Sequence, residues 1–159
     1  MVEDARFEDA GDQPLRLRAL DGDDLNVIAA LVQDAVFPAS EMRWDRKARR
    51  FALLLNRFRW EDADRAKARK RDFERVQAML VIEDVMSVQS QGVDPADQDM
   101  VYALLSLGFT PGEDGMGRLE LTLAGDGAIA VQVEALEVVL RDVTRPYIAP
   151  SRKSPDHDI

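Results

Sequence analysis

Leu15-Arg16-Leu17-Arg18-Ala19 alternates apolar and charged residues with period two, the pattern of a short strand with one buried face. The spacing then changes. From Asp21-Gly22-Asp23-Asp24 onward, Leu25, Ile28, Leu31, Val32, Ala35 and Val36 recur on one helical face, which predicts a helix over residues 22–36. Asp21 or Asp23 supplies the cap for its free N–H groups, and the other acids favour the positive end of the dipole. Pro38 is expected to end the element.

The rest reads as strands. Met42 and Trp44 alternate, Asp45-Arg46-Lys47-Ala48 turns the chain, and Phe51, Leu53 and Leu55 return on one face as a hairpin. Its second strand runs on through Asn56-Arg57-Phe58-Arg59-Trp60, and residues 61–71, without a large apolar side chain, form an exposed loop. Phe73 to Ser90 is a long β-type run, with a bend expected where Glu83-Asp84 interrupts it. After the turn Gly92-Val93-Asp94-Pro95, Met100 to Phe109 is another strand. Leu119, Leu121 and Leu123 then pair with Ile129, Val131 and Val133 across Gly125-Asp126-Gly127, a second hairpin. Residues 135–143 fit two periods: Leu136, Val139, Leu140 and Val143 suit a helix, whereas Leu136, Val138 and Leu140 suit a strand continuing from Val133 through a bulge. With no cap or breaker after Val133, the strand is expected.

These elements predict one α+β domain over residues 14–148, flanked by polar tails at 1–13 and 149–159. Its centre is a twisted antiparallel sheet, or a partly closed β-barrel or roll, of about six to eight strands carrying one principal helix. A pleckstrin-homology-like roll is the nearest named arrangement if residues 135–143 are helical, by analogy alone.

Composition narrows the chemistry. The chain has 159 residues, 46% hydrophobic and 32% charged, which suits a single globular domain. No apolar run approaches the roughly 18 residues of a membrane span, and the opening MVEDARFEDAGDQ is too acidic for a signal peptide. Without cysteine there is no disulfide, thiolate nucleophile or thiolate metal site, which fits a reducing cytoplasm. The net charge of −9 is uneven: residues 41–75 hold 13 Lys+Arg and 7 Asp+Glu, and the remainder is strongly acidic. An acidic body disfavours extended nucleic acid as a partner and leaves an acidic protein or a small anionic ligand open.

Candidate sites are few. The one histidine, His157, lies in the polar tail, where nothing would orient a catalytic base. The run Gly112-Glu113-Asp114-Gly115-Met116-Gly117 has no Lys-Ser/Thr after it, and its acids would repel a phosphate. The acidic sets Asp21/Asp23/Asp24 and Asp94/Asp97/Asp99 lack the glycine and distal glutamate of a calcium loop, so neither metal nor cofactor is expected. What stands out is basic. Arg57, Arg59 and Trp60 at the end of the first hairpin, with Arg65, Lys67, Arg69, Lys70 and Arg71 beyond, suit stacking and bidentate anion contacts. Solvated charge neutralised by Glu61, Asp62, Asp64 and Asp72 is the plainer interpretation. Asn56 and Arg57 are expected to pair with Gln33-Asp34 of the helix.

Three strings, Leu20-Asp21-x-x-Asp24-Leu25, Leu31-x-Gln33-Asp34-Ala35-Val36 and Arg50-Phe51-Ala52-Leu53-x-Leu55-Asn56-Arg57-Phe58-x-Trp60-Glu61, carry a resemblance. With Leu121-Thr122-x-x-Gly125-x-Gly127-x-Ile129, they resemble the mostly alphaproteobacterial family domain of unknown function 2948 over residues 15–143. The resemblance implies a small bacterial cytoplasmic protein and brings no activity, ligand or catalytic residue. The expected function is therefore a non-catalytic interaction module working through a sheet edge or the basic hairpin. An anionic-ligand or RNA binder using residues 57–71, and a carboxylate-based enzyme, are the alternatives; no membrane partner is expected and self-association is open.

Overall fold

The helix stops short of Val36, and the sheet is the reason. In a computed structural model describing residues 14–62, 67, 74–94 and 96–148, α1 spans Gly22–Leu31. Asp21 is the cap, its carboxylate accepting the Asp24 N–H at 2.8 Å. Leu25, Ile28 and Val32 are buried, and the Val32 N–H closes the last helical bond on the Ile28 carbonyl. The Asp34 backbone then turns to φ +66° and donates its N–H to the Leu104 carbonyl, while the Ala35 carbonyl accepts the Leu104 N–H, both at 2.8 Å. Ala35 and Val36, which extend the helical stripe in the sequence, are thus claimed by a neighbouring strand. Pro38 ends that strand and not the helix.

Among the described residues, the strands are β1 (Arg16–Ala19), β2 (Val36–Pro38), β3 (Met42–Asp45), β4 (Arg50–Phe58), β5 (Glu74–Ile82), β6 (Val85–Gln91), β7 (Val101–Pro111), β8 (Gly117–Leu123), β9 (Ala128–Val133), β10 (Val138–Asp142) and β11 (Tyr147–Ile148). They form one antiparallel sheet in the order β1-β10-β5-β4-β2-β7-β8-β9-β6, with β3 beside β4 and β11 beside β5. Eleven strands exceed the expected six to eight, because β2 hides in the helical stripe and β11 is two residues long. Both expected hairpins form, as β3–β4 and β8–β9. Residues 138–142 are a strand, so a roll capped by a terminal helix does not apply. That strand does not continue β9: β10 leaves for the other half of the sheet and pairs with β5 and β1.

The bend expected at Glu83-Asp84 is a corner. Asp84 adopts φ +54°, its carbonyl accepts the Glu134 N–H, and the Glu83 N–H donates to the Glu137 carbonyl. Past the corner, the Val85 N–H donates to the Arg49 carbonyl at 2.9 Å. That bond joins the last strand of the sheet order to the turn before β4, so the sheet curls back on itself without closing into a barrel. Inward residues of both halves fill the space between: Phe51, Leu53 and Leu55 of β4, Leu80 and Ile82 of β5, Leu119 and Leu121 of β8, Val131 and Val133 of β9. Leu25, Ile28 and Val32 of α1 complete this core. No helix among the described residues is long and apolar enough to cross a membrane. The two expected tails, residues 1–13 and 149–159, lie outside the described residues.

Candidate functional site

Strand alternation places Arg57 on the same inward face as Phe51, Leu53 and Leu55, at the end of β4, where it is fully buried. A buried guanidinium must find partners for five donors. Nε and Nη2 donate to the two carboxylate oxygens of Asp142, both at 3.1 Å. Nη1 and Nη2 donate to the carboxylate of Glu61 at 2.9 and 2.8 Å, and Nη1 also reaches the Phe58 carbonyl at 3.3 Å. Every donor is taken. Burial acts to lower the Arg57 pKa, but the hydrogen bonds and charges of Glu61 and Asp142 outweigh it and raise it. Burial likewise acts to raise the Glu61 carboxyl, and Arg57 with Arg59 overcomes that and holds it below its ordinary value.

Arg59 is only 7% exposed and is held the same way. Its N–H donates to the Glu74 carbonyl at 2.9 Å and its guanidinium bonds the Glu74 carboxylate, with Asp62 at 3.7 Å and Glu61 at 3.8 Å. Four carboxylates surround two guanidinium groups. Trp60 is half-buried, its ring tilted on Phe58 with centroids 4.6 Å apart and its Nε1–H bonded to the Gln33 carbonyl at 2.9 Å. The expected Arg57–Asp34 pair is corrected: the partners are Asp142 and Glu61, because Arg57 faces inward along the sheet. Asn56 meets the helix no better, its buried Oδ1 having no hydrogen-bond partner among the described residues. Arg65, Arg69, Lys70 and Arg71 lie outside the described residues, and Lys67 is exposed.

Sequence reasoning missed Asp142. The signal was present: continuing the Val138–Leu140 alternation puts residue 142 on the core face, where a carboxylate demands a cation.

The other end of the same hairpin, about 26 Å away along β4 at roughly 3.3 Å per residue, carries cations of a different kind. The Asp45 carboxylate accepts the Ala48 N–H at 3.0 Å and stiffens the turn, which presents Arg46, Lys47 and Arg49 to solvent. Beside it opens a cleft of about 600 Å³ lined by Trp44, Arg46, Arg49, Val85, Met86, Ser87 and Val88. The cleft lies between the β3–β4 turn and β6. Trp44, packed on the core, forms part of its wall. Nearby acids are already committed, Glu134 to Arg49 at 3.3 Å and Glu83 to Arg50 at 3.0 Å. No group of three or more metal-ligating side chains occurs among the described residues.

No curated protein and no solved structure matches the chain. The sequence profile of the family described as Protein of unknown function (DUF2948) matches residues 15–157, nearly the whole chain. This protein therefore belongs to the DUF2948 family.

Proposed function

We propose that this protein is a non-catalytic interaction module and that its contact face is the open edge of β6 with the cleft beside it. The observation that carries this reading is the nature of that edge. Among the described residues β6 pairs with β9 on one side only, and its seven residues, VMSVQSQ, contain no charge and no proline. Exposed edges in monomeric proteins are usually guarded by charges, prolines or shortness. The opposite edge follows that rule: β1 has four residues, two of them Arg16 and Arg18. An unguarded edge next to a cleft is suited to receiving another chain. A setting in the bacterial cytoplasm belongs to the same proposal and rests on the family resemblance.

The ion pairing of Arg57 and Arg59 weighs against an anion site at that end of the hairpin, since every donor of Arg57 is occupied and Arg59 already lies against the carboxylates of Glu61, Asp62 and Glu74. The cleft lining offers no carboxylate for acid–base chemistry.

The test is site-specific photo-crosslinking in cells, with the reactive group placed at Gln89 on β6 or at Arg16 on β1. Crosslinks to other proteins from position 89 and not from position 16, abolished by Ser87→Lys, are expected. Equal crosslinking from both edges, or none from β6, would overturn the reading.

A further inference from the structure

Building on the interaction reading above, we infer that the β6 edge takes an extended segment of another protein as an added strand, one carrying an acidic side chain for Arg46 and an apolar side chain for the Trp44–Met86 wall.

Geometry defines the slot. At its closed end the seam is pinned by the Val85–Arg49 backbone bond, the Arg49–Glu134 pair and the Arg50–Glu83 pair. Beyond that point the turn and β6 diverge, and the register of β6 on β9 shifts between Val85 and Ser87. The bulge turns Met86 outward, 44% exposed, against the cleft. The cleft falls within the range of about 300–1,000 Å³ typical of ligand sites, and beyond Val85 one wall is a strand with no further strand paired to its outer side among the described residues.

Charge selects the occupant. Arg46 and Lys47 have no ion-pair partner among the described residues, while three carboxylates near the turn are engaged elsewhere: Asp45 caps the turn, Glu83 holds Arg50 and Glu134 holds Arg49. The lining itself contains two arginines and no acid. An incoming carboxylate at Arg46 meets an unneutralised cation, whereas a basic segment would be repelled. A second copy of this chain fits poorly, because its own β6 is uncharged and offers Arg46 nothing, and it brings a second body of net charge −9. The rest of that acidic body restricts the segment to one or two carboxylates placed at the turn and not a polyanionic run.

The experiment selects a displayed library of random ten-residue segments on the full-length protein and on Arg46→Glu. The Arg46 side chain makes no hydrogen bond or ion pair among the described residues, and retained circular dichroism and melting temperature check that the variant is folded. Wild type is expected to enrich segments alternating β-branched or aromatic residues with an acid, and Arg46→Glu to bind them at least tenfold more weakly and to enrich basic ones. Binding should be lost in Ser87→Lys. Segments that bind at β6 with no acidic bias, or that Arg46→Glu selects equally, would overturn the acidic class and leave the interaction reading standing. Failure to enrich any segment that competes at β6 would overturn both. A concentration-dependent dimer abolished by Ser87→Lys would show that the edge takes a second copy and would also overturn the proposal.

Discussion

Arg57 and Asp142 sit on strands separated by β5 and meet across it through two hydrogen bonds of 3.1 Å, both side chains inside the protein. Asp142 is tied further: its carboxylate accepts the Leu15 N–H at 3.0 Å and its own N–H donates to the Leu15 carbonyl at 2.9 Å. The pair therefore fastens the start of the domain, β10 and the end of β4 at one point. Removing one partner of a buried ion pair leaves the other charge unsolvated, at a cost of about 3–5 kcal/mol. Asp142→Ala is expected to lose that much stability in urea denaturation, and an unchanged midpoint would contradict the role assigned to it.

The Glu61 carboxyl is held below its ordinary value in the folded protein, so its contribution to stability is present above the unfolded value, near pH 4.5. It is lost as pH falls below that and protons reach the folded carboxylate. Urea midpoints measured from pH 7 to pH 3 should fall more steeply below about pH 4.5 in the wild type than in Glu61→Gln. Parallel curves would mean that Glu61 is not coupled to folding. Because its side chain is partly solvated, the difference between the two curves should be smaller than the loss caused by Asp142→Ala.

Asp21 bonds the N–H of Asp24, whereas Asp23 lies within the first turn. Asp21→Ala should cost about 1 kcal/mol, and Asp23→Ala only the smaller dipole contribution of about 0.3–1 kcal/mol at low salt. Thermal denaturation of the two variants checks the order, and salt should narrow the Asp23 effect by the larger fraction, since the Asp21 hydrogen bond persists.

Gly117 opens β8 where it meets β7, and space is the constraint there. A Cβ at this position would lie 2.4 Å from the Phe109 ring and 2.8 Å from the Thr110 carbonyl. The ring can rotate, but the backbone carbonyl must shift. Gly117→Ala is expected to lose about 1–3 kcal/mol in chemical denaturation, the usual cost of overpacking. Gly108, with nothing near its would-be Cβ, is the control and should tolerate alanine with a much smaller change.

The inward position of Arg57 was legible from Phe51, Leu53 and Leu55, and that of Asp142 from Val138 and Leu140, since alternation extends through a charge as it does through a leucine. Their pairing was not. It required knowing that β10 lies one strand away from β4, and strand order depends on contacts distant in the chain. For the same reason the segment's positive charge misleads when it is read by sequence alone: among the described residues, Arg57 and Arg59 are buried in ion pairs at one end of a nine-residue strand, whereas Arg46 and Lys47 face solvent in the turn at the other.

Local chemistry by itself determined the start of α1, through Asp21 and the first apolar turn, both hairpins, through period-two runs around Asp45-Arg46-Lys47-Ala48 and Gly125-Asp126-Gly127, and the corner at Glu83-Asp84. Each depends on neighbours within a few residues. Tertiary structure decided where α1 ends, because Leu104 takes up the Asp34 N–H and the Ala35 carbonyl with two backbone bonds that the helix could otherwise have made. It decided that β10 joins β5 and not β9, and which arginines are spent inside the protein. Periodicity fixes which way a side chain faces; only the packed sheet fixes what it faces.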